Sequence, residues 1–254
     1  MLLYVLILKS EIKKLNSLKS FTVFVIAFFL TACQTDSVKT DIPNMPSNAY
    51  LDGKNSTVGV VLCHGRGKYP TWLVVDPLRK GINQQLGYHT LSIQMPTVDG
   101  KWWEYESLFP DAYRRIDAAV RYLKEEKNVQ KVYLMGHSMG SRMATAYLNQ
   151  NPDSGIAGFI GVGIRNEGGG RLDSNLNLRM VTLPVLDLYG DGGDGKDAEH
   201  ARIRSDMVDD RYQQVLIPGA NHKFTQHEKQ MVDSVVSWLR KQEGKKKIYN
   251  LSLL

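Results

Sequence analysis

Only two cysteines occur in the 254 residues, Cys33 and Cys63, so no disulfide framework can hold the fold together. No His, Cys or carboxylate cluster has zinc spacing. The Asp-rich stretch after Gly190 also lacks the spacing of a calcium loop, so no metal is expected. No segment repeats, which excludes a solenoid or propeller. The apolar run Phe21–Leu30 is only about half as long as a membrane-spanning helix needs. Thirty-two Lys and Arg against 26 Asp and Glu give a formal net charge of +6. No basic patch is interleaved with aromatics, however, so nucleic acid is not an expected partner. Gly190-Asp191-Gly192-Gly193-Asp194-Gly195 has the form G-x-G-x-x-G, but it comes late and its two aspartates would repel a pyrophosphate, which rules out a dinucleotide site.

What is present begins with a secretory layout. Lys9, Lys13, Lys14 and Lys19 precede the apolar run, which ends at Leu30-Thr31-Ala32-Cys33. The small residues before Cys33 resemble a bacterial lipobox. That resemblance implies cleavage of residues 1–32 as a lipoprotein signal peptide and lipidation of the Cys33 thiol. Cleavage would remove four lysines and one glutamate and leave a net charge of +3. The expected location is the bacterial cell envelope, facing the periplasm from the outer membrane in a host that has one, with the membrane as partner through Cys33. Residues 33–57, rich in Ser, Thr, Asn, Asp and Pro, read as a flexible tether, and residues 241–254, with Lys245-Lys246-Lys247, as a solvated basic tail.

Between them, residues 58–240 read as one domain. Buried strands are expected at Val58–Leu62, Thr90–Ile93, Lys131–Met135, Ile156–Val162, Pro184–Tyr189 and Gln213–Ile217. Helices are expected near Asp76–Gln85, Asp111–Glu126, Met139–Asn149, Ala198–Val208 and Glu228–Arg240. Continuous apolar strands alternating with helices predict an α/β domain with a mostly parallel sheet of about six strands, helices covering both faces.

Ligands of such sheets bind at the carboxyl ends of the strands, and reactive residues collect there. Gly136-His137-Ser138-Met139-Gly140 stands between a strand and a helix, the setting of a nucleophile elbow. His64-Gly65 follows the first strand, Asp191 and Asp194 the fifth, and Asn221-His222 the sixth. With these motifs the chain resembles the α/β-hydrolase superfamily from about Val58 to Arg240, in particular its short members akin to dienelactone hydrolases and small carboxylesterases. The resemblance implies Ser138 as nucleophile and His222 as its general base. It also implies an oxyanion hole from the backbone N–H groups of Met139 and Arg66. The family places its acid three residues after the glycine ending that strand, which here is Gly193. Asp194 is taken as the acid, assuming a one-residue insertion, with Asp191 as the alternative.

His64, Gly65, His137, Trp102 and Trp103 are candidates to line the substrate pocket, with loop ordering the other reading for His64 and surface-loop packing for the tryptophans. Arg142 and Arg165 are considered as contacts for an anionic substrate, against the default of solvated surface arginines. Cys63 reads as an inert core thiol. The expectation is a membrane-anchored serine hydrolase of small acyl esters working without a cofactor. A peptidase or thioesterase on the same fold, or a non-catalytic envelope lipoprotein using it as a binding scaffold, is the alternative.

Overall fold

In a computed structural model, residues 48–251 are described, of which 245–251 as backbone only. The signal-peptide and lipidation expectations, and most of the tether, lie outside the described residues. The elements run β1 (Ala49–Leu51), β2 (Val58–Cys63), α1 (Val75–Leu86), β3 (His89–Ile93), a 3-10 segment (Trp102–Leu108), α2 (Phe109–Glu126), β4 (Lys131–His137), α3 (Met139–Gln150), β5 (Ile156–Val162), α4 (Ser174–Arg179), β6 (Val185–Gly190), α5 (Lys196–Ile203), β7 (Tyr212–Ile217) and α6 (Glu228–Leu251).

Seven strands form one sheet in the order β1-β3-β2-β4-β5-β6-β7. All neighbours are parallel except β1, which runs antiparallel along β3 at the edge. The expected six strands are therefore seven, and the additional one falls inside the segment read as tether. A buried histidine accounts for it: His89 accepts hydrogen bonds at Nδ1 from Tyr50 Oη (2.8 Å) and Gly53 N (3.1 Å), while Nε2 donates to Ser56 O (3.1 Å). Helix α6 continues to Leu251, through most of the segment read as tail. The helix expected over Ala198–Val208 instead spans Lys196–Ile203 and gives way to a 3-10 turn at Ser205–Met207. Among the described residues no helix is long and apolar enough to cross a membrane.

The period-2 alternation of strand side chains divides the core into two layers. Val61, Leu91, Leu134 and Phe159 face α2 and α3 with Ile116, Leu123 and Met143. Val60, Leu62, Met135 and Leu186 face α1 and α6 with Leu78, Ile82, Val235 and Leu239. Each such fully buried side chain stabilises by about 1.5–3 kcal/mol relative to exposure. Burial pushes the Cys63 thiol pKa up, so it stays protonated within the core.

A buried charge pair fixes α5 against the sheet. Asp187 on β6 and Arg204, just past α5, are fully buried. The guanidinium donates from Nε and Nη2 to the two carboxylate oxygens at 3.0 and 3.1 Å. Tyr212 Oη and Gln214 Nε2 donate to the same carboxylate at 2.9 and 3.1 Å. Breaking such a pair leaves an uncompensated buried charge. Arg204→Met should therefore lower the unfolding free energy, read by urea titration, by about 3–5 kcal/mol. Arg204→Met with Asp187→Leu should recover a large part of that loss.

Candidate active site

The carboxyl ends of the six parallel strands lie at one end of the sheet, and the turn after β4 carries Ser138 there. Ser138 has φ 54° and ψ −117°, a sparsely populated conformation for a residue with a side chain. Neighbouring contacts impose it. A Cβ at Gly140 would collide with the Cys63 carbonyl at the end of β2, and one at Gly136 with the backbone of Ser141. Ser138 N donates to Val162 O on β5 (3.2 Å), and Ser141 Oγ donates to Gly136 O (2.6 Å). The serine is thereby held at the N-terminus of α3, with its hydroxyl raised above the sheet.

Ser138 Oγ lies 3.0 Å from His222 Nε2. His222 comes from the loop after β7, where Asn221 Oδ1 accepts the backbone N–H groups of Lys223 (2.9 Å) and Thr225 (3.3 Å). The other ring nitrogen, His222 Nδ1, lies 2.8 and 2.9 Å from the two oxygens of Asp197. Gly163 permits this approach: at φ +58°, a Cβ there would stand 3.0 Å from both Asp197 Oδ2 and His222 Nδ1.

The carboxylate facing His222 therefore belongs to neither aspartate expected from the sequence. Asp194 is half exposed and accepts from Arg165 Nη2 (2.7 Å) and Lys196 N (3.3 Å). Asp191 accepts from Gly219 N (2.6 Å), joining the loops after β6 and β7. The carboxylate facing His222 stands seven residues beyond Gly190 because the loop runs through Gly195 before α5 begins, and the first turn of that helix carries Asp197 inward. Arg165 Nε donates to Asp197 Oδ1 at 2.7 Å. Burial raises the Asp197 pKa, but the His222 hydrogen bond and charge together with Arg165 outweigh it and hold the carboxyl below the usual range.

The space above Ser138 is a cavity of about 270 Å³. Of the expected lining residues, Gly65, His137 and Trp102 face it, as do Met139 and Arg66 from the expected oxyanion hole. Trp102 lies over the Arg142 guanidinium, 5.2 Å from centroid to Cζ. His64 does not line the cavity: it is buried, with Nδ1 donating to Gly65 O (2.9 Å) and Nε2 accepting from Met95 N (2.9 Å), which orders the loop. Trp103 is 48% exposed and packs edge-on against Trp102, away from the cavity. Trp72, Lys68, Glu167 and Lys223 line the cavity although the sequence did not single them out. Trp72 belongs to the loop that leaves β2, and its ring lies 5.6 Å from that of His137.

His137 is buried beside His222, with rings 4.9 Å apart, and its Nε2 donates to the His222 carbonyl at 3.0 Å. Burial first, and then the His222 charge, push its pKa down to about 3; burial pushes His64 down to about 4. Unfolded imidazoles take up protons near pH 6.5, so the unfolded state binds these protons first on acidification. The stability from these residues is complete above about pH 6.5 and falls as the pH drops, by about 2 kcal/mol for each histidine by pH 5. Urea unfolding of His64→Gln at the two pH values should show a smaller pH dependence than the unaltered protein by about that amount.

A family model matches residues 111–241, that of a family described as protein of unknown function (DUF3530). No curated protein matches. Among solved structures, Est1E from Butyrivibrio proteoclasticus is similar with a TM-score of 0.62 at 17% identity, over 78% of this chain and 94% of that one. It has also been solved with ferulic acid bound. An α/β serine hydrolase homologue from Coxiella burnetii has a TM-score of 0.61 at 16% identity, over 76% and 90%. XC6422 from Xanthomonas campestris, described as an α/β serine hydrolase without a lid, has 0.60 at 12%, over 76% and 88%. These likenesses establish the α/β-hydrolase fold.

Proposed function

The chain belongs to the DUF3530 family, and for this member we propose a serine hydrolase that cleaves carboxylic esters of small molecules. The observation that carries the reading is the continuous path Ser138 Oγ–His222–Asp197 at 3.0 and 2.8 Å, set on a strained elbow facing a cavity. An unassisted serine hydroxyl is a weak nucleophile near neutral pH, and a hydrogen-bonded imidazole relieves that weakness.

In this mechanism His222 Nε2 takes the Ser138 proton as Oγ attacks the ester carbonyl. The tetrahedral intermediate places its oxyanion toward the backbone N–H groups of Met139 and Arg66, each supplying about 3 kcal/mol. As the carbon–oxygen bond to the alcohol breaks, His222 gives its proton to the leaving oxygen. Water then attacks the acyl-enzyme, His222 receives a proton from it, and collapse returns that proton to Ser138 and releases the acid. Asp197 keeps the Nδ1–H tautomer and stabilises the imidazolium without taking a proton. The depressed Asp197 pKa supports this role, because the carboxylate stays ionised throughout. The ferulic acid complex of Est1E supports a small ester as substrate.

The proposal includes location. The lipobox-like Leu30-Thr31-Ala32-Cys33 supports an envelope lipoprotein anchored through acyl chains on Cys33. The described domain would then act close to a membrane surface.

A fluorophosphonate probe on the full chain tests the chemistry. Stoichiometric labelling that disappears in Ser138→Ala is the expected result, and folded protein that stays unlabelled overturns the reading. Asp197→Asn should lower kcat on a chromogenic acetate by about 10³–10⁴-fold, since the wrong imidazole tautomer then faces the serine. Asp191→Asn, whose carboxylate accepts from Gly219 N and not from His222, should stay within about tenfold of the starting activity. The reverse ranking would remove Asp197 from its assigned role.

A further inference from the structure

We infer that the cavity above Ser138 selects esters whose alcohol half carries a second, uncleaved anionic group of the carboxylate or phosphate kind. The inference rests on the hydrolase reading and names the substrate class of that same site. Five cationic side chains line the cavity, Arg66, Lys68, Arg142, Arg165 and Lys223, against one carboxylate, Glu167. Arg142 and Arg165, considered from the sequence as anion contacts, are both occupied within the protein. Arg142 pairs with Glu167 at 3.4 Å and donates to the backbone oxygens of Arg165 and Glu167; Arg165 pairs with Asp194 and Asp197. Glu167 is shared further with Lys196 at 3.3 Å.

Arg66, Lys68 and Lys223 remain, and none of them has a carboxylate within 4.0 Å among the described residues. Isolated surface lysines are ordinarily just solvated. These three differ in converging on one concave, partly enclosed site, where low-dielectric walls concentrate a field of one sign. Of the three, Arg66 acts on Arg142, after burial and Arg165. Burial lowers its guanidinium pKa, Glu167 opposes the shift, and Arg165 and Arg66 add to it, so the net direction is down.

The alcohol half is indicated by where two of the cations stand. Lys223 directly follows His222, the group that protonates the leaving oxygen. Lys68 lies 5.0 Å from the Trp72 ring, Trp72 lies 5.6 Å from His137, and His137 lies 4.9 Å from His222. Lys68 and Lys223 thus line the same cavity as the imidazole, one from the β2 loop and one from the β7 loop, where an anion on the departing alcohol can meet them. Trp72, beside Lys68, offers the cavity a flat apolar wall, suited to an aromatic or other rigid spacer.

Matched esters on the full chain test this: para-acetoxybenzoate, with its anion on the leaving group, against the neutral para-acetoxybenzamide. The same comparison uses the para-nitrophenyl monoester of succinic acid, with its anion on the acyl side, against para-nitrophenyl butanoate. The expected result is kcat/KM on the order of tenfold higher for acetoxybenzoate than for the amide, expressed mainly in KM. That preference should fall toward unity in about 0.5 M salt and in the double variant Lys68→Gln with Lys223→Gln. A ratio near one, while Ser138 is still labelled and the neutral esters are still cleaved, overturns this inference and leaves the hydrolase reading standing. A preference confined to the succinate ester overturns the placement on the alcohol half, and one unaffected by the double variant overturns the assignment to these lysines. Absence of both labelling and turnover in folded protein removes the hydrolase reading itself.

Discussion

The backbone at Ser138 is the constraint on which the remaining architecture depends. A non-glycine residue at φ 54° and ψ −117° costs of the order of 1–3 kcal/mol and survives only where the surroundings over-determine it. Here β2, β4, β5 and α3 all contribute. The Cys63 carbonyl leaves no room for a side chain at 140, the Val162 carbonyl takes the Ser138 amide, and Ser141 closes back onto Gly136. Because β2 and β5 flank β4 in register through Cys63↔Gly136 and His137↔Val162, the strain is carried by the fully buried centre of the sheet. The same turn that costs local energy fixes the position of the hydroxyl to within a hydrogen bond of His222.

The other half of the site depends on how far a helix is carried around the sheet. Asp197 reaches His222 only because α5 starts where it does, and α5 is tied at its far end by Arg204 to Asp187 on β6. The buried ion pair thus acts through a helix of eight residues on the orientation of a carboxylate at its first turn. A pair of this kind adds little net stability compared with apolar packing, and its use lies in specifying one arrangement. Asp187 also receives Tyr212 and Gln214, so its buried carboxylate takes four hydrogen bonds, two of them from Arg204.

The strands that carry the site were legible because buried parallel strands are continuous apolar runs, and each lies close to where the sequence put it. Strand β1 was not, since Ala49–Leu51 is half-buried, sits among polar residues, and owes its pairing to His89, forty residues away in the sheet neighbour. Ser138 and His222 could be found locally, from a glycine-flanked turn and a loop after a strand. The acid could not, because counting from Gly190 presumes a loop length that only the start of α5 determines. The signal available was a third aspartate in the same stretch, placed one residue before the predicted helix. Trp103, and His64 as a lining residue though not as the loop-ordering residue it was also read to be, were misplaced for a related reason. A loop motif tells which residues are near the site, whereas the Met95 amide and the Trp102 ring decide which way each side chain turns.

Charge around the serine divides into two sets with different work. Arg165 sits between Asp197 and Asp194, so the buried carboxylate behind His222 has a cation on one side and an imidazole on the other. Burial favours a protonated Asp197, and His222 together with the guanidinium holds it ionised; a neutral acid would accept the Nδ1–H less well than a carboxylate. Arg142 is consumed in the same manner by Glu167 and by the backbone of the loop after β5, which it pins beneath Trp102. His137, kept neutral by its burial, adds no charge beside the imidazole it supports. Every internal charge at the site is therefore balanced within the protein. The cations that remain, Arg66, Lys68 and Lys223, line the cavity with no carboxylate partner among the described residues.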